Sequence, residues 1–336
     1  MKRSWTSLAA LMGAGLLALT FATLAQAQAP AWPTKPVKFV VPFAPGAGAD
    51  IGARLAADAL SRKWNQTVVV ENRPGGDSLI AIRAVVNDND DHQLLFTPTG
   101  NFTPHPYRHE KLGYVRERDL LPIARFSNTI LAVGVSDQSG IKSLQELVDV
   151  ARKRPGELNV MTVPGITDLV WDNFTTALGL KIQKVSFNNL GQGASEMAAG
   201  RIQVVMSAYA IMQPVIGNGA KVLAVNSRTR ASALPNVPTA IEEGIPSLQL
   251  EGLVGLFGPK SMSAALRKRI GEDVAEVARL PNTAERLVAS AQTPNPGGAE
   301  EFAKDIAEQE KQVAEIAARV GLKKLDEDVA RAVSRA

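Results

Sequence analysis

Short apolar runs alternate with amphipathic segments along the chain from residue 33 onward. The runs 37–41, 68–70 and 93–96 are rich in valine and leucine, which is typical of strands that are covered on both faces. Segments with the apolar spacing of helices follow them, and the first extends to Arg62. This alternation predicts an α/β sandwich with a largely parallel sheet.

The alternation recurs in a second part of the chain, between residues 130 and 251. The apolar segment 253–257 then predicts a strand that returns to the first part. We therefore predict two similar lobes, with residues 28–129 and 252–336 in the first and residues 130–251 in the second. Ligands of open α/β sheets bind at the carboxyl ends of strands, so we expect a ligand cleft between the lobes.

A glycine-rich turn follows the first predicted strand. Pro42 and Pro45 end the strand, and Gly46 and Gly48 allow a tight turn with uncovered N–H groups. We expect Asp50 to be the N-cap of the next helix. Such a turn at a helix N-terminus directs several donors and a partial positive charge to one point, which suits a carboxylate or a phosphate. A second turn of this kind precedes a predicted helix at 163–168.

The N-terminal segment has a different composition from the rest of the chain. Two cationic residues precede an uncharged, largely apolar run that ends in the small-residue pattern Ala25-Gln26-Ala27. This pattern predicts a cleaved secretory signal peptide over residues 1–27, or 1–29 with the alternative cleavage site, and an uncleaved membrane anchor is the rival interpretation. The absence of cysteine excludes disulfides and a lipid anchor on an N-terminal cysteine. We predict an exported protein of the Gram-negative periplasm.

Composition and motifs exclude several classes of function. The 336 residues, 45% hydrophobic and 21% charged, suffice for two domains with cores. Removal of Lys2 and Arg3 with the signal lowers the net charge from +4 to +2. The remaining charges are interspersed, so we expect no nucleic-acid binding. The sequence contains no G-x-S-x-G motif, so it does not indicate a hydrolase.

Two further patterns have competing interpretations. Gly46, Gly48 and Gly52, with Glu71 about twenty residues on, imitate a dinucleotide fingerprint, but the glycine spacing is one residue too long. An exported NAD-type oxidoreductase stays an alternative, and so does a turn without a binding role; we predict no cofactor. The histidines 105 and 109 have helical spacing, but the proline between them disfavours a helical pairing and no acidic ligand lies at a suitable offset. We therefore expect no metal site.

Longer motifs resemble a known family, the solute-binding receptors of tripartite tricarboxylate transporters, or Bug family. Residues 32–37 and 40–46 resemble the family's opening strand and first ligand loop, and residues 68–75 resemble its second strand and turn. The most specific match is Ala233–Thr239 followed by Glu243–Pro246. The resemblance covers nearly all of the mature chain.

The resemblance implies a two-lobed periplasmic-binding-protein (Venus-flytrap) fold and a receptor that is not an enzyme. Such a receptor captures a small molecule, typically an organic carboxylate, with backbone groups and bridging waters of its first two loops, and passes it to membrane permease subunits. We predict a monomer with this function. An alternative function is a ligand sensor that contacts a signalling protein. Arg73 or Arg83 is a candidate partner for a second carboxylate group of the ligand.

The residues expected at the pocket depart from the family pattern. The first loop lacks the family's two adjacent glycines, Asp168 stands where many members have histidine, and Ser207 stands where many have an acidic residue. The resemblance therefore implies the class of protein without naming its ligand. The predicted ligand-binding residues are Phe43, Gly46, Ala47, Gly48, Asp50, Gly76, Asp77, Ser78, Thr99, Asn101, Thr167, Asp168, Phe187 and Ser207.

Overall fold

The strands of the protein form two separate mixed sheets. A computed structural model describes residues 32–187 and 189–325. The predicted signal peptide lies outside these residues, and the fold concerns the compact unit that begins at Pro36. Within the described residues, no helix has the length and apolar character needed to cross a membrane.

The strands are, in chain order, β1 (Val37–Val41), β2 (Val68–Asn72), β3 (Gln93–Pro98), β4 (Leu120–Thr129), β5 (Leu131–Ser136), β6 (Asn159–Thr162), β7 (Gln183–Lys184), β8 (Val204–Ala208), β9 (Ala220–Val225), β10 (Leu253–Pro259) and β11 (Gln292–Gly297). The helices are α1 (Gly48–Trp64), α2 (Leu79–Asp88), α3 (Arg116–Asp119), α4 (Leu144–Lys153), α5 (Ile166–Leu178), α6 (Leu190–Ala198), α7 (Tyr209–Met212), α8 (Ala264–Arg279), α9 (Pro281–Ala289) and α10 (Ala299–Arg319).

The first sheet has the strand order β11-β4-β10-β3-β1-β2. Strand β1 is parallel to both of its neighbours, with Phe39 opposite Val70 on β2 and Leu94 on β3. Strand β10 is the predicted return strand, and it is antiparallel to β3 and β4. The sequence of β1, with three valines and a phenylalanine in five residues, fits this interior position, where both faces are covered.

The second sheet has the order β7-β6-β8-β5-β9. Strands β6, β7 and β8 pair in parallel, while β5 is antiparallel to β8 and β9. The chain leaves the first sheet after Thr129 and enters the second at Leu131, and it returns before Leu253. The predicted lobe limits at residues 130 and 252 fall in these two crossings, and we retain that division as a proposal.

Each sheet has its own hydrophobic core, and helix α10 contributes to both. Phe302 and Ile306, in its N-terminal half, pack in the core of the first sheet. Val313 and Ile316, in its C-terminal half, pack in the core of the second sheet, which is built around Trp171. One continuous helix therefore joins the two cores.

Candidate functional site

A cavity of about 370 Å³ lies where the carboxyl ends of strands from both sheets come together. Residues that directly follow β1, β3, β6 and β8 line it, and so do residues of both chain crossings. This is the position at which α/β sheets bind ligands. The structure therefore brings the two predicted glycine-containing turns to one cavity.

The cavity wall is mainly apolar, with a few neutral polar groups. The only charged side chain that lines it among the described residues belongs to Glu251, and neither lysine nor arginine contributes. A bound anion would consequently depend on backbone N–H groups and neutral side chains for its compensation. The apolar lining side chains include Phe43, Leu131, Val163, Ile166, Leu190 and Ile211, and the neutral polar ones are Asn101, Thr129, Thr167, Ser290 and Gln292.

The N-terminus of helix α1 opens on this cavity. Ala47 is its N-cap, and Gly46 before it has a φ of 88°, a conformation that glycine adopts without strain. Ile51 donates its N–H to the carbonyl of Ala47, at 3.0 Å, as the first bond of the helix. The N–H groups of Gly48, Ala49 and Asp50 therefore lack intrahelical acceptors, as at any helix start.

Helix α5 presents its N-terminus to the same cavity from the second sheet. Gly165, with a φ of 123°, is its N-cap, and Leu169 donates the first helical bond to it. Ile166 and Thr167, in the first turn, line the cavity. Two helix dipoles thus direct their positive ends at one space, and each favours a negative charge there.

Asp50 stabilises the first loop instead of capping the helix, which corrects the N-cap expectation. Its carboxylate accepts hydrogen bonds from the N–H of Gly46 at 2.8 Å, from Asn72 Nδ2 at 2.8 Å and from Arg54 Nε at 3.0 Å. Burial alone would raise the pKa of Asp50, but these donors outweigh it and lower the pKa below the ordinary value. Asp50 is buried and does not line the cavity.

The second predicted loop reaches the cavity through an intermediary. Gly76, Asp77 and Ser78 all have positive φ values and do not line the cavity. Ser78 Oγ accepts a hydrogen bond of 2.9 Å from Asn101 Nδ2, and Asn101 does line it. The loop therefore positions a lining amide.

Four other predicted residues lie outside the lining. Thr99 is buried and donates its hydroxyl to Gln309 Oε1 at 2.5 Å, while Asp168 accepts from Thr162 and pairs with Lys184 at 3.1 Å. Ser207 is fully buried, and Phe187 packs against a core cluster of the second sheet. Their direct role in binding stays a prediction, as does that of the residues that do line the cavity. The lining residues among the predicted set are Phe43, Gly46, Ala47, Gly48, Asn101 and Thr167.

Two lining residues from late in the chain have no signal in the sequence. Gln292, at the start of β11, donates its amide to the carbonyl of Gly48 at 2.8 Å and accepts from the hydroxyl of Ser127 at 2.8 Å. Glu251, in the return crossing, accepts from Asn128 Nδ2 and from the backbone N–H of Arg228. Gln292 therefore fixes the first turn of α1, and Glu251 links the two crossings.

Comparison with known proteins decides the family. A family model described as tripartite tricarboxylate transporter family receptor matches residues 52–322. The chain belongs to this receptor family. Membership confirms the predicted resemblance. Because the family consists of receptors, it also confirms that this receptor is not an enzyme. Glu71, the acidic residue of the pattern that imitates a dinucleotide fingerprint, forms an ion pair with Lys38 Nζ at 2.7 Å.

Individual proteins agree with the family assignment. A UPF0065 protein of Bordetella bronchiseptica is 26% identical to the receptor over 264 residues, which is 78% of each chain. A solved structure described as a periplasmic transporter is 26% identical, with a TM-score of 0.76 over 88% of this chain and 100% of that chain. An R. palustris protein solved with adipate is 22% identical, with a TM-score of 0.75 over 87% and 99%. The predicted periplasmic-binding-protein fold is thereby confirmed, but the prediction of largely parallel sheets is wrong, because β10, β11 and β5 pair antiparallel with their neighbours.

Proposed function

We propose that this receptor binds an organic carboxylate in the cavity between its two sheets and delivers it to permease subunits of a tripartite-type transporter. One observation carries the proposal: the N-termini of α1 and α5 open on the same cavity, which no described cationic side chain lines. Backbone dipoles and N–H groups are the available partners for a negative charge there.

The energetics of such a site are sufficient for a transport receptor. A hydrogen bond to a charged group contributes roughly 1.5–3 kcal/mol. Two or three of these, with burial of the ligand body against Phe43, Ile166 and Ile211, yield a net of about −8 kcal/mol after the costs of association, which corresponds to micromolar affinity.

The location and partners belong to the same proposal. Family membership makes the chain a receptor of the periplasmic-binding type. The proposal adds export by a cleaved signal, residence in the Gram-negative periplasm and a permease partner. The R. palustris protein solved with adipate supports a carboxylate ligand, because it shares the fold at 22% identity. We further propose that the receptor is a monomer and that the sheets close on the ligand.

The direct test is a thermal-shift screen of the exported protein against mono-, di- and tricarboxylates. A ligand at 100 times its Kd stabilises a protein by about 2.7 kcal/mol. A shift with one class of acid is the expected result. Absence of a shift with every acid, in a protein that melts cooperatively, would contradict carboxylate binding.

A variant test locates the site. The Cβ that Gly48→Val adds meets no atom within 4 Å, so the fold accommodates it while the side chain enters the lining. We expect at least a tenfold loss of affinity for the acid found in the screen. Gly298→Val is the matched control, because it also stands at a helix start with no atom within 4 Å but lies outside the cavity. Equal affinity in both variants would place the ligand elsewhere.

A further inference from the structure

A group of metal-type ligands lies outside the cavity, between the second loop and the turn after β3. Asp77, His105 and His109 place one carboxylate oxygen and two imidazole nitrogens within 4.8 Å of one another. His109 Nε2 is 2.9 Å and His105 Nε2 is 3.9 Å from Asp77 Oδ2. Donor atoms around a tetrahedral zinc ion, with ligands at about 2.0–2.1 Å, lie roughly 3.3 Å apart. The observed separations bracket that value.

The two histidines come together despite Pro106, contrary to the sequence expectation. Residues 105–107 form a single 3₁₀ turn with the proline near its start, where its missing N–H is not needed. The N–H of His109 donates to the carbonyl of His105 at 3.0 Å, and the ring centroids are 5.1 Å apart. An acidic ligand is also present, because Asp77, 28 positions before His105 in the chain, lies in a loop that contacts His105.

We propose that Asp77, His105 and His109 form a binding site for a divalent transition metal, with Zn²⁺ as the best-fitting ion. Two imidazoles with one carboxylate suit Zn²⁺, Cu²⁺ and Ni²⁺ better than the oxygen-seeking Mg²⁺ or Ca²⁺. With three protein ligands, the fourth position is open to water.

Ion binding at His105 requires a change in the hydrogen bonds of its ring. The two ring nitrogens of His105 each face an oxygen. Its Nε2 lies 2.8 Å from the carbonyl oxygen of Asp77 and its Nδ1 lies 3.0 Å from Tyr114 Oη. A carbonyl oxygen only accepts, so Nε2 carries the ring proton in this geometry, and metal binding at Nε2 requires that proton to move to Nδ1. The Tyr114 oxygen can accept that hydrogen bond, because a hydroxyl both donates and accepts.

The site is accessible from solvent. The side chains of Asp77 and His109 are 28% and 27% exposed, which gives an ion a route from solvent. Arg108 Nε, at 3.2 Å from Asp77 Oδ2, is the competing cation, and its side chain is 33% exposed and can turn towards solvent as the ion enters.

A bound ion would also influence the cavity. Ser78 follows Asp77 directly, and its hydroxyl accepts from Asn101, which lines the cavity. An ion on Asp77 therefore fixes the loop that positions this amide. The site itself does not depend on the proposed carboxylate function, because none of its three ligands lines the cavity.

Isothermal titration of the tag-free, EDTA-treated protein with ZnCl₂ tests the proposal, with no organic acid present. We expect binding of one ion with a micromolar or lower Kd and a rise in melting temperature that EDTA reverses. His109→Gln and Asp77→Asn should each weaken binding at least tenfold. His109→Gln is the more robust variant, since that ring is partly exposed. Titration with Co²⁺ should give the intense visible absorption of a four-coordinate site, and His109→Gln should abolish it.

A second ligand-type group provides the control. Asp90, Asp91 and His92 also place three potential ligand atoms close together. Asp91→Asn should leave Zn²⁺ binding unchanged. Loss of binding in Asp91→Asn with retention in His109→Gln would overturn the proposal in favour of that loop, and absence of binding up to millimolar Zn²⁺ would overturn it outright.

Discussion

Asp50→Asn removes one charge from the centre of the first loop with little change in shape. The carboxylate of Asp50 joins three parts of the chain: the N–H of Gly46 in the loop, Asn72 at the end of β2 and Arg54 one turn along α1. An asparagine side chain offers one oxygen where the carboxylate offers two. Either the Gly46 N–H or the Asn72 amide must then face a second donor.

The expected loss of stability follows from these contacts. A hydrogen bond to a charged group contributes about 1.5–3 kcal/mol, and a buried donor left without an acceptor costs about 1–3 kcal/mol. Arg54 adds little to the loss, because its side chain is 50% exposed and water can solvate it. We therefore expect Asp50→Asn to reduce the free energy of unfolding by about 2–4 kcal/mol, which lowers Tm by about 3–6 °C in a protein of this size, at an unfolding entropy of about 2.1 cal/mol/K per residue.

The same helix contains a matched control. Asp58 and Arg62 form an ion pair with the same i, i+4 spacing, at 2.7 Å, but both side chains are largely exposed, at 56% and 67%. Such surface pairs contribute about 0.3–0.5 kcal/mol. Asp58→Asn should therefore shift Tm by no more than about 1 °C.

Differential scanning calorimetry of the unchanged protein and the two variants is the assay, and titration of the best acid from the screen is the companion measurement. Asp50→Asn should also weaken ligand binding, because Gly46 and its neighbours line the cavity. Equal Tm shifts for Asp50→Asn and Asp58→Asn would refute the reasoning, since burial and the Gly46 and Asn72 bonds are what distinguish the two pairs.

Two further predictions concern acid stability and helix α10. The pKa of Asp50 lies below 3.8, so the carboxylate contributes its full stabilisation above that pH and loses it as the pH falls through the folded-state pKa. The difference in Tm between the unchanged protein and Asp50→Asn should therefore stay constant from about pH 5 to 7 and become smaller at lower pH. Gln309→Leu leaves the carbonyl of Glu251 without its donor at 2.9 Å and leaves Thr99 Oγ1 with only the longer contact of 3.4 Å to the carbonyl of Leu253, so it should cost about 1–3 kcal/mol in calorimetry. The half-buried Gln312→Leu, which loses a bond to Gln249, should cost less, and a larger loss there would contradict the argument.

The sequence predicted the strands well because their signal is local. The valine-rich run 37–41 coincides with a parallel strand inside the first sheet, and the apolar run 253–257 lies within β10. Helix starts were less accurate. The sequence pattern of residues 194–199 predicts a helix that starts at Ala194, but helix α6 begins four residues earlier, at Leu190, because Asn189 caps it by accepting from the N–H groups of Gly191 and Gln192. The glycines in its first turns weaken the helical pattern that would have revealed this start.

The candidate site was predictable only where one loop carries its own chemistry. The glycines of the first loop and Thr167 were predicted near helix starts, and these residues line the cavity. Gln292 could not be foreseen, because it meets Gly48 across 244 positions through the pairing of β11 with β4. The contact between Asp77 and His105 could not be predicted for the same reason, since it depends on how the second loop packs on the turn after β3.

Helix α10 constrains how the two sheets can move around a ligand. Its residues Phe302 and Val313 belong to different cores, so the helix cannot follow one sheet without disturbing the other. Between them, Gln309 donates to the carbonyl of Glu251 in the return crossing and accepts from Thr99, next to the lining residue Gly100. A closing rotation costs least if its axis passes near these buried amide contacts, because they then keep their lengths while the cavity mouth narrows. In the proposed closure, the axis would therefore pass near Gln309, and the helix starts at Gly48 and Ile166 would both face the enclosed cavity.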